Sequence, residues 1–338
     1  MIYNKRMVRM PQIKKHLFSL LFFIVFATLL VTPLVHASPD LNVTVNTSDY
    51  TYWVMHNIDI YGNLTRNAQL VPDGLVALEV KDSSGDTIVI RTVQTGTTLP
   101  EHNITVTQIT PMTEYWEPKD QFRKGETAYF MVFINKTSPG QQLVLVTLSV
   151  YDATNVPLGW NYWQFTFLGQ GEVAWTPNLQ IPTWASTGTA KVVVGTYTDW
   201  PSAGGTPLGP ENSSSITIYE LGGGGFSTGA QALSTLGTPG TYSLSFTTSI
   251  KAERGLYTVY VTSSYEGEQA TNSTTFLVDV PDINNDGYVN VVDLGYLSDA
   301  WLADEEDPNY NPNADFNDDG FCNILDLGIM SDCWLWGP

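Results

Sequence analysis

The chain has 338 residues, with 34 acidic residues, 15 basic residues and two cysteines. No acidic residue precedes Asp40 and five basic residues lie within the first 15 positions, so the chain from residue 38 onwards has a net charge of about −24 by direct count. This balance argues against nucleic acid as a partner, since phosphate backbones bind basic patches. Cys322 and Cys333 are too few for a disulfide scaffold. We predict two buried thiols, with a bond between them as the open alternative.

The N-terminal 37 residues have the pattern of a secretory signal peptide. Five basic residues come first, an apolar run follows from 17 to 35, and the small residue Ala37 ends the segment. We therefore predict a signal peptide at 1–37 and a secreted or cell-surface protein. The apolar run is also long enough to span a bilayer, so an uncleaved N-terminal anchor is the alternative.

From residue 41 to residue 280 the pattern is typical of short strands. Apolar and polar residues alternate, as at 257–261, and turn pairs such as Ser84-Gly85 and Pro139-Gly140 separate the segments. The pattern predicts twelve strands, at residues 41–46, 57–61, 76–80, 87–93, 127–135, 142–151, 163–167, 191–198, 214–219, 242–247, 256–262 and 274–278. The expected fold class is mainly β, with sandwiches favoured over barrels.

Residues 41–95 hold about four predicted strands, too few to close a sandwich alone. With the strand at 58–62 and the strand-turn at 76–85, this segment resembles the opening half of a macroglobulin-type (MG2-like) or other immunoglobulin-like surface domain of archaeal secreted proteins. Residues 238–280 resemble its closing half.

We therefore predict one split sandwich, with a second immunoglobulin-like sandwich at 100–221 inserted into it. A Gly-rich linker at 222–237 follows the second sandwich. Three domains in tandem are the alternative.

The C-terminal region contains two calcium-loop motifs, 33 residues apart. An EF-hand loop takes oxygen ligands at positions 1, 3, 5, 7, 9 and 12, with a glycine at position 6 and a backbone carbonyl at position 7. The two loops at 282–293 and 315–326 supply Asp282, Asn284, Asp286, Tyr288, Asn290 and Asp293, and Asp315, Asn317, Asp319, Phe321, Asn323 and Asp326. The sequence predicts two bound Ca²⁺ ions.

Position 12 is Asp in both loops, position 9 is Asn, and one predicted helix follows each loop. These features resemble the dockerin family over about residues 281–336. The resemblance implies a small α-helical, EF-hand-type module at 281–338. Its predicted core uses position 8 (Val289 and Cys322), whose backbone is expected to pair with the other loop. Apolar helix positions complete that core: Leu294, Leu297, Trp301, Leu327, Met330 and Trp334.

In dockerins the two residues before position 12 help to recognise a cohesin. Here they are the apolar pairs Val291-Val292 and Ile324-Leu325. The resemblance therefore implies a cohesin-like or other surface protein as partner. The alternative is that these four side chains pack against the neighbouring sandwich.

Seven Asn-x-Ser/Thr sequons follow the predicted signal peptide, and each predicts a glycosylation site. They begin at Asn42, Asn46, Asn63, Asn103, Asn135, Asn212 and Asn272.

We predict a non-catalytic protein. Two features suggest the alternative of a carbohydrate-binding or polysaccharide-degrading dockerin protein that contacts extracellular glycans. They are a set of acids, Glu114, Glu117, Asp120 and Asp152, and a set of tryptophans, Trp116, Trp160, Trp163, Trp175, Trp184 and Trp200. Ser227 lies in a G-x-S-x-G motif, but the flanking sequence does not predict the strand and helix that a nucleophile elbow needs.

Overall fold

The computed structural model describes residues 41–220 and 238–337; the predicted signal peptide and the predicted linker at 222–237 lie outside these ranges. The described residues form nineteen strands. Their bounds are β1 Leu41–Val43, β2 Asn46–Thr47, β3 Thr51–Trp53, β4 Asn57–Arg66, β5 Gln69–Leu70, β6 Leu75–Lys81, β7 Thr87–Gln94, β8 Ile104–Met112, β9 Gln121–Arg123, β10 Thr127–Lys136, β11 Gln142–Tyr151, β12 Pro157–Phe167, β13 Gly171–Trp175, β14 Asn178–Gln180, β15 Gly188–Tyr197, β16 Asn212–Tyr219, β17 Thr241–Thr247, β18 Gly255–Tyr265 and β19 Glu268–Asp279.

Two helices, α1 Val291–Asp299 and α2 Ile324–Asp332, follow the strands, and a short 3-10 turn lies at Pro201–Ala203. The fold class is therefore mainly β with two short helices in the C-terminal region, as the sequence predicts. Among the described residues, no helix is long and apolar enough to cross a membrane.

The first pair of sheets is built from both ends of the β region. One sheet has the order β1-β4-β17, with β2 and β5 also on β4, and the other has the order β3-β19-β18-β6-β7. Strand β4 alternates between exposed and buried residues over its first eight positions, which is the pattern of a strand with one face in a core. Ile58, Ile60 and Phe246 of the first sheet share one apolar cluster with Val259 and Phe276 of the second.

The second pair of sheets uses the strands in between. One sheet joins β8, β13 and β14 to β10, and the other has the order β12-β11-β15-β16-β9. Phe130 and Val132 of β10 pack with Val146, Leu148 and Val192 in a separate core.

Strands β6 and β11 are buried on both faces, unlike a strand that has one face in water. Their second faces meet between the two sheet pairs, where Ala77 and Ile90 contact Leu145 and Tyr197. A polar contact crosses the same boundary: Arg91 of β7 donates from Nε to Glu211 at 2.9 Å and also from Nη2. The two pairs of sheets are thus joined by a buried ion pair as well as by apolar contact.

Each of the twelve predicted strands overlaps a strand of the structure. Six short or interrupted strands are not predicted: β3, β5, β8, β9, β13 and β14. Five of them have two to five residues, and β8 contains Pro111, which is tolerated because β8 pairs with β10 at the side of the sheet. Short strands of this kind form because a longer partner is present, so their own sequences carry little signal.

Candidate calcium module

The two predicted loops have the same internal hydrogen bonds. In the first loop, Asp282 accepts from the backbone of Asp286 and Gly287 at 3.1 and 2.9 Å. In the second, Asp315 accepts from Asp319 and Gly320 at 3.2 and 2.9 Å. The two loops therefore repeat in conformation as well as in sequence.

Glycine at position 6 is required by the backbone. Gly287 and Gly320 have φ of 89° and 82°, a region that side chains with a Cβ rarely adopt. Position 4 is also left-handed in both loops, with φ of 56° at Asn285 and 53° at Asp318. Asn and Asp are the residues that tolerate this conformation best after glycine.

The carboxylate at position 12 closes each loop and starts each helix. Asp293 accepts from the backbone of Ile283 at 2.8 Å and of Asn290 at 2.9 Å. Asn290 in turn caps α1 by accepting from Val292 at 2.8 Å, which completes a capping box. Asp326 and Asn323 make the same contacts at α2. Loop and helix therefore form one unit in each repeat.

The donor set suits calcium, which prefers carboxylate, amide and carbonyl oxygens. Asp293 and Asp326 are fully buried, and among the described residues neither forms an ion pair with Lys, Arg or His. Buried carboxylates without a cation are costly, so a bound cation would remove that cost. The residues therefore fit the ion.

In the structure, the carboxylates of each loop do not converge on one point. In the part of the chain that the structure describes, no group of three His, Cys, Asp or Glu side chains is placed to hold a metal. The loop carboxylates instead accept from backbone amides, and Asn284 donates to Asp286 at 2.8 Å, as Asn317 does to Asp319 at 2.9 Å. The ligand set at positions 1, 3, 5, 7, 9 and 12 of both loops stays a prediction.

The sequence predicts that the backbone at position 8 of each loop pairs with the other loop, and this prediction is wrong. Val289 exchanges backbone hydrogen bonds with Leu335 and Trp336 after α2, and Cys322 does so with Leu302 and Ala303 after α1. Each loop thus pairs with the segment that follows the other repeat's helix. Leu302 and Leu335 both have φ of 64°, so the turn after each helix is duplicated as well.

The apolar helix positions divide into two groups. Leu297 and Met330 are fully buried and Leu294 and Leu327 are half-buried, as the predicted core requires. Trp301 and Trp334 are 41% and 40% exposed, so the expectation that they lie in the core is wrong. The predicted recognition pairs are also open to solvent: Val291, Val292, Ile324 and Leu325 are exposed by 70, 47, 64 and 56%. They do not pack against the sheets.

A comparison with known families identifies this region. Residues 280–332 match the model of the dockerin type I domain. The C-terminal module is a dockerin module. Dockerin modules are non-catalytic and mediate calcium-dependent attachment to cohesin-type protein partners.

The dockerin module is not separated from the sheets. The Trp53 indole of β3 donates to the Phe316 carbonyl at 3.0 Å, and the two rings meet edge to face at 5.2 Å. The Cys333 thiol donates to the Val54 carbonyl at 3.2 Å. His56 Nε2 lies 3.5 Å from Asp332 Oδ2. Buried residues of the module belong to the same apolar cluster as the first pair of sheets.

The carboxylates at position 1 of the two loops have different neighbours outside the loop. Arg254, between β17 and β18, approaches Asp282 at 3.4 Å and holds Asp279 at 2.8 Å through Nε. Asp315 instead accepts from the Tyr310 hydroxyl at 2.7 Å. This hydrogen bond raises the pKa of Tyr310 well above its ordinary value.

The two cysteines of the dockerin module are free and fully buried in the structure. The Cys322 thiol donates to the Asn311 carbonyl at 3.4 Å. Burial raises the pKa of Cys333 to about 12 and also raises the pKa of Cys322. Both thiols are therefore weak nucleophiles in the folded chain.

The residues behind the carbohydrate alternative do not form one exposed site, although the Trp160 and Trp200 rings meet edge to face at 5.4 Å. Asp152 is buried and accepts from the backbone of Thr154, Val156 and Ser186, which is a structural role. Glu114, Glu117 and Asp120 are exposed. Of the six tryptophans only Trp116 is mainly exposed, at 54%, so these six form no exposed row. Ser227 lies outside the described residues.

The seven sequon asparagines are all described. Asn42, Asn46, Asn63, Asn103 and Asn272 are exposed, whereas Asn135 and Asn212 are half-buried. Two of the amide groups are already engaged, since Asn212 donates to Val106 at 2.8 Å and Asn272 donates to Val43 at 2.9 Å.

No curated protein matches the chain. Solved structures that match include a CARDB domain from Pyrococcus furiosus in complex with di-metal ions, at 12% identity and a TM-score of 0.26, covering 37% of this chain and 99% of that one. A β-glucosidase from Listeria innocua matches at 13% identity and a TM-score of 0.25, over 35% of this chain and 16% of that one.

A further match is the Pseudomonas fluorescens DNA glycosylase AlkC bound to DNA, at 10% identity and a TM-score of 0.25, over 36% of this chain and 31% of that one. The chain thus spans less than a third of AlkC and about a sixth of the glucosidase.

Proposed function

We propose that this chain is a non-catalytic secreted or cell-surface protein whose dockerin module binds two calcium ions and attaches two β-sandwich domains to a protein partner. The observation that carries the proposal is the duplication of the loop-helix unit, in which Asp293 and Asp326 accept from the backbone amides at the same two loop positions. A calcium ion in each loop would stabilise carboxylates that otherwise lie buried without a cation.

Calcium binding is tested on the chain from residue 38 onwards by isothermal titration calorimetry. The wild type is expected to bind two ions, and the double variant Asp293→Asn with Asp326→Asn is expected to lose both sites. The double variant Asp299→Asn with Asp332→Asn is the matched control, since it removes the same charge from exposed positions of the module. No heat of binding by the wild type at millimolar calcium would contradict the proposal.

The sheets form one split sandwich, residues 41–95 and 238–280, with a second sandwich at 100–221 inserted into it. This division is supported by strand pairing, because β17, β18 and β19 pair with β4, β6 and β3. The two sandwiches act as a spacer that is joined rigidly through Arg91 and Glu211. Removal of 100–220 and closure by a short loop is expected to leave a folded first sandwich, as measured by thermal unfolding.

The partner contacts the exposed apolar pairs at the start of each helix. Burial of the two pairs against a partner would remove their apolar surface from water and favour binding, since exposed apolar patches often mark protein interfaces. A type I cohesin domain is expected to bind the wild type in calcium but not in chelator. The change Val292→Asp with Leu325→Asp is expected to abolish binding, whereas Ser298→Asp with Ser331→Asp, on exposed positions later in the same helices, is the control. Equal binding by both variants would exclude this surface.

The surface location rests on the predicted signal peptide and the sequons. Expression in a glycosylating secretory host, followed by mass spectrometry of the medium, tests both. Glycans are expected first at the exposed asparagines Asn42, Asn46, Asn63 and Asn103, and less at Asn212, whose amide donates to a strand carbonyl.

A further inference from the structure

The two loops of the dockerin module differ in the group that faces their first carboxylate. They share most of their internal hydrogen bonds, yet the carboxylate at position 1 faces a cation in the first loop and a neutral hydroxyl in the second. Arg254 Nη1 lies 3.4 Å from Asp282 Oδ2, whereas the Tyr310 hydroxyl lies 2.7 Å from Asp315 Oδ2.

Arg254 is held at the first loop by a second contact. Its Nη2 lies 2.7 Å from Asp279 Oδ1, so the guanidinium is anchored on the last residue of β19. The Asp282 side chain is fully buried, and the Arg254 side chain is 33% exposed. A guanidinium keeps its charge at every pH at which the protein is folded, so its positive field at this loop is permanent.

Tyr310 gives the second loop no such charge. It belongs to the segment between the two repeats, and the residue 33 positions earlier is Leu277 in β19. The tyrosine therefore has no counterpart in the first repeat. A hydroxyl can turn its proton away or rotate aside when an ion approaches, whereas a guanidinium cannot lose its charge.

We propose that the two loops bind calcium unequally, with the loop at 315–326 filling first and the loop at 282–293 second, because Arg254 competes with the ion for Asp282. This inference rests on the proposed calcium function. A unit charge and a divalent ion that share one buried carboxylate repel each other strongly at protein dielectric values. Contact with solvent at Arg254 reduces the effect, and we expect a difference of about tenfold between the two dissociation constants.

The same contact links calcium to the position of the dockerin module. Arg254 belongs to the sheets and Asp282 to the module, so an ion in the first loop weakens one of the ion pairs between them. By linkage, release of Arg254 would strengthen calcium binding in the first loop by the same factor. The first loop would thus bind its ion only at calcium concentrations at which the second loop is already filled.

The test uses calcium calorimetry on the chain from residue 38 onwards. The wild type should show two sites that differ about tenfold, with the tighter one lost in Asp326→Asn and the weaker one lost in Asp293→Asn. Arg254→Gln should tighten the weaker site about tenfold and leave the tighter one unchanged. Arg66→Gln, which removes a half-buried arginine that pairs with Glu266 and Glu268 far from both loops in the sequence, is the matched control and should change neither site.

A reverse substitution keeps the test valid if Arg254→Gln does not fold. Tyr310→Lys places a cation beside Asp315, and it should weaken the tighter site about tenfold, whereas Tyr310→Phe should change it less than threefold. Two sites of equal affinity in the wild type, or no change in Arg254→Gln and Tyr310→Lys, would overturn the inference while the calcium function stands. Absence of any calcium binding would overturn both, so the two failures are distinguishable.

Discussion

The sheets and the dockerin module are stabilised in different ways. The sheets bury large apolar side chains, such as Phe130, Phe246 and Phe276, each fully excluded from solvent. The module is small, with two short helices, yet it buries the four carboxylates of Asp282, Asp293, Asp315 and Asp326. Many of its large apolar side chains are exposed. The comparison teaches that one part of the chain is stabilised by apolar burial, whereas in the other the proposed calcium ions would offset the cost of its buried charge.

Removal of calcium gives the largest expected difference between the two parts. Ligand binding stabilises a fold by about 4 kcal/mol per site when free calcium stands at about 1,000 times the dissociation constant. Chelation should therefore raise backbone hydrogen exchange in 282–300 and 315–333 and leave exchange in 241–279 unchanged. Uniform loss of protection in both parts would show that the sheets depend on the ion too.

A core truncation should have the reverse pattern. Phe276 packs edge to face on Tyr52, with ring centres 5.4 Å apart, and Phe276→Ala should lower the free energy of unfolding of the sheets by about 3–5 kcal/mol. Phe321→Ala is the comparison in the module, where the ring is 51% exposed, and it should cost less than about 1 kcal/mol. Thermal unfolding in saturating calcium measures both, and equal effects would break the contrast.

The buried ion pair between the sheet pairs should also be sensitive to truncation. Arg91→Ala leaves Glu211 without its partner and should cost about 3 kcal/mol, because an uncompensated buried charge remains. The pKa of Arg91 is raised far above its ordinary value by Glu211 despite the burial that opposes it. Arg66→Ala, at a more exposed pair in which Glu266 lies at the surface, should change the denaturant midpoint less. A midpoint in Arg91→Ala that equals the wild-type midpoint would contradict this.

Alkaline pH should loosen the contact between module and sheets. Burial raises the pKa of Cys333 to about 12, so the folded chain keeps a proton that the unfolded chain loses near pH 9. Stability is therefore full below pH 9 and falls by about 1.4 kcal/mol per pH unit between pH 9 and 12. Cys333→Ala should flatten this part of the profile, as measured by denaturant unfolding in calcium. The buried tyrosines whose pKa is also raised contribute to the same alkaline range, but they are common to both proteins, so an identical slope would contradict the role of Cys333.

The smallest expected effect is the loss of one hydrogen bond at the contact with the module. Trp53→Phe removes the donor to the Phe316 carbonyl but keeps an aromatic ring, and it should cost about 1 kcal/mol. Hydrogen exchange should rise in 315–333 and not in the second pair of sheets. Trp160→Phe is the control, since it removes an indole donor to Thr87 within the sheets. A rise of exchange in 315–333 in both variants would contradict a local effect.

Much of the β region could be predicted because strand patterns are local. The alternation in β4 and β18 is visible in the sequence, and all twelve predicted strands overlap observed ones. Continuous burial of β6 and β11 was not predictable, because it depends on which sheet covers the second face. The sequence of β13 carries no clear signal, since this strand is ordered by its pairing with β10.

The sequence by itself determined the duplicated loops, because ligand spacing, the glycine and the capping asparagine all lie within twelve residues. Only the tertiary structure decided what surrounds those loops. The approach of Arg254 to Asp282, the contact of Phe316 with Trp53 and the exposure of Trp301 depend on residues brought together from distant parts of the chain. The spacing of residues within a loop determines its ligand set. The charged groups beside the loop come from distant parts of the chain and are determined by packing, which residue spacing does not predict.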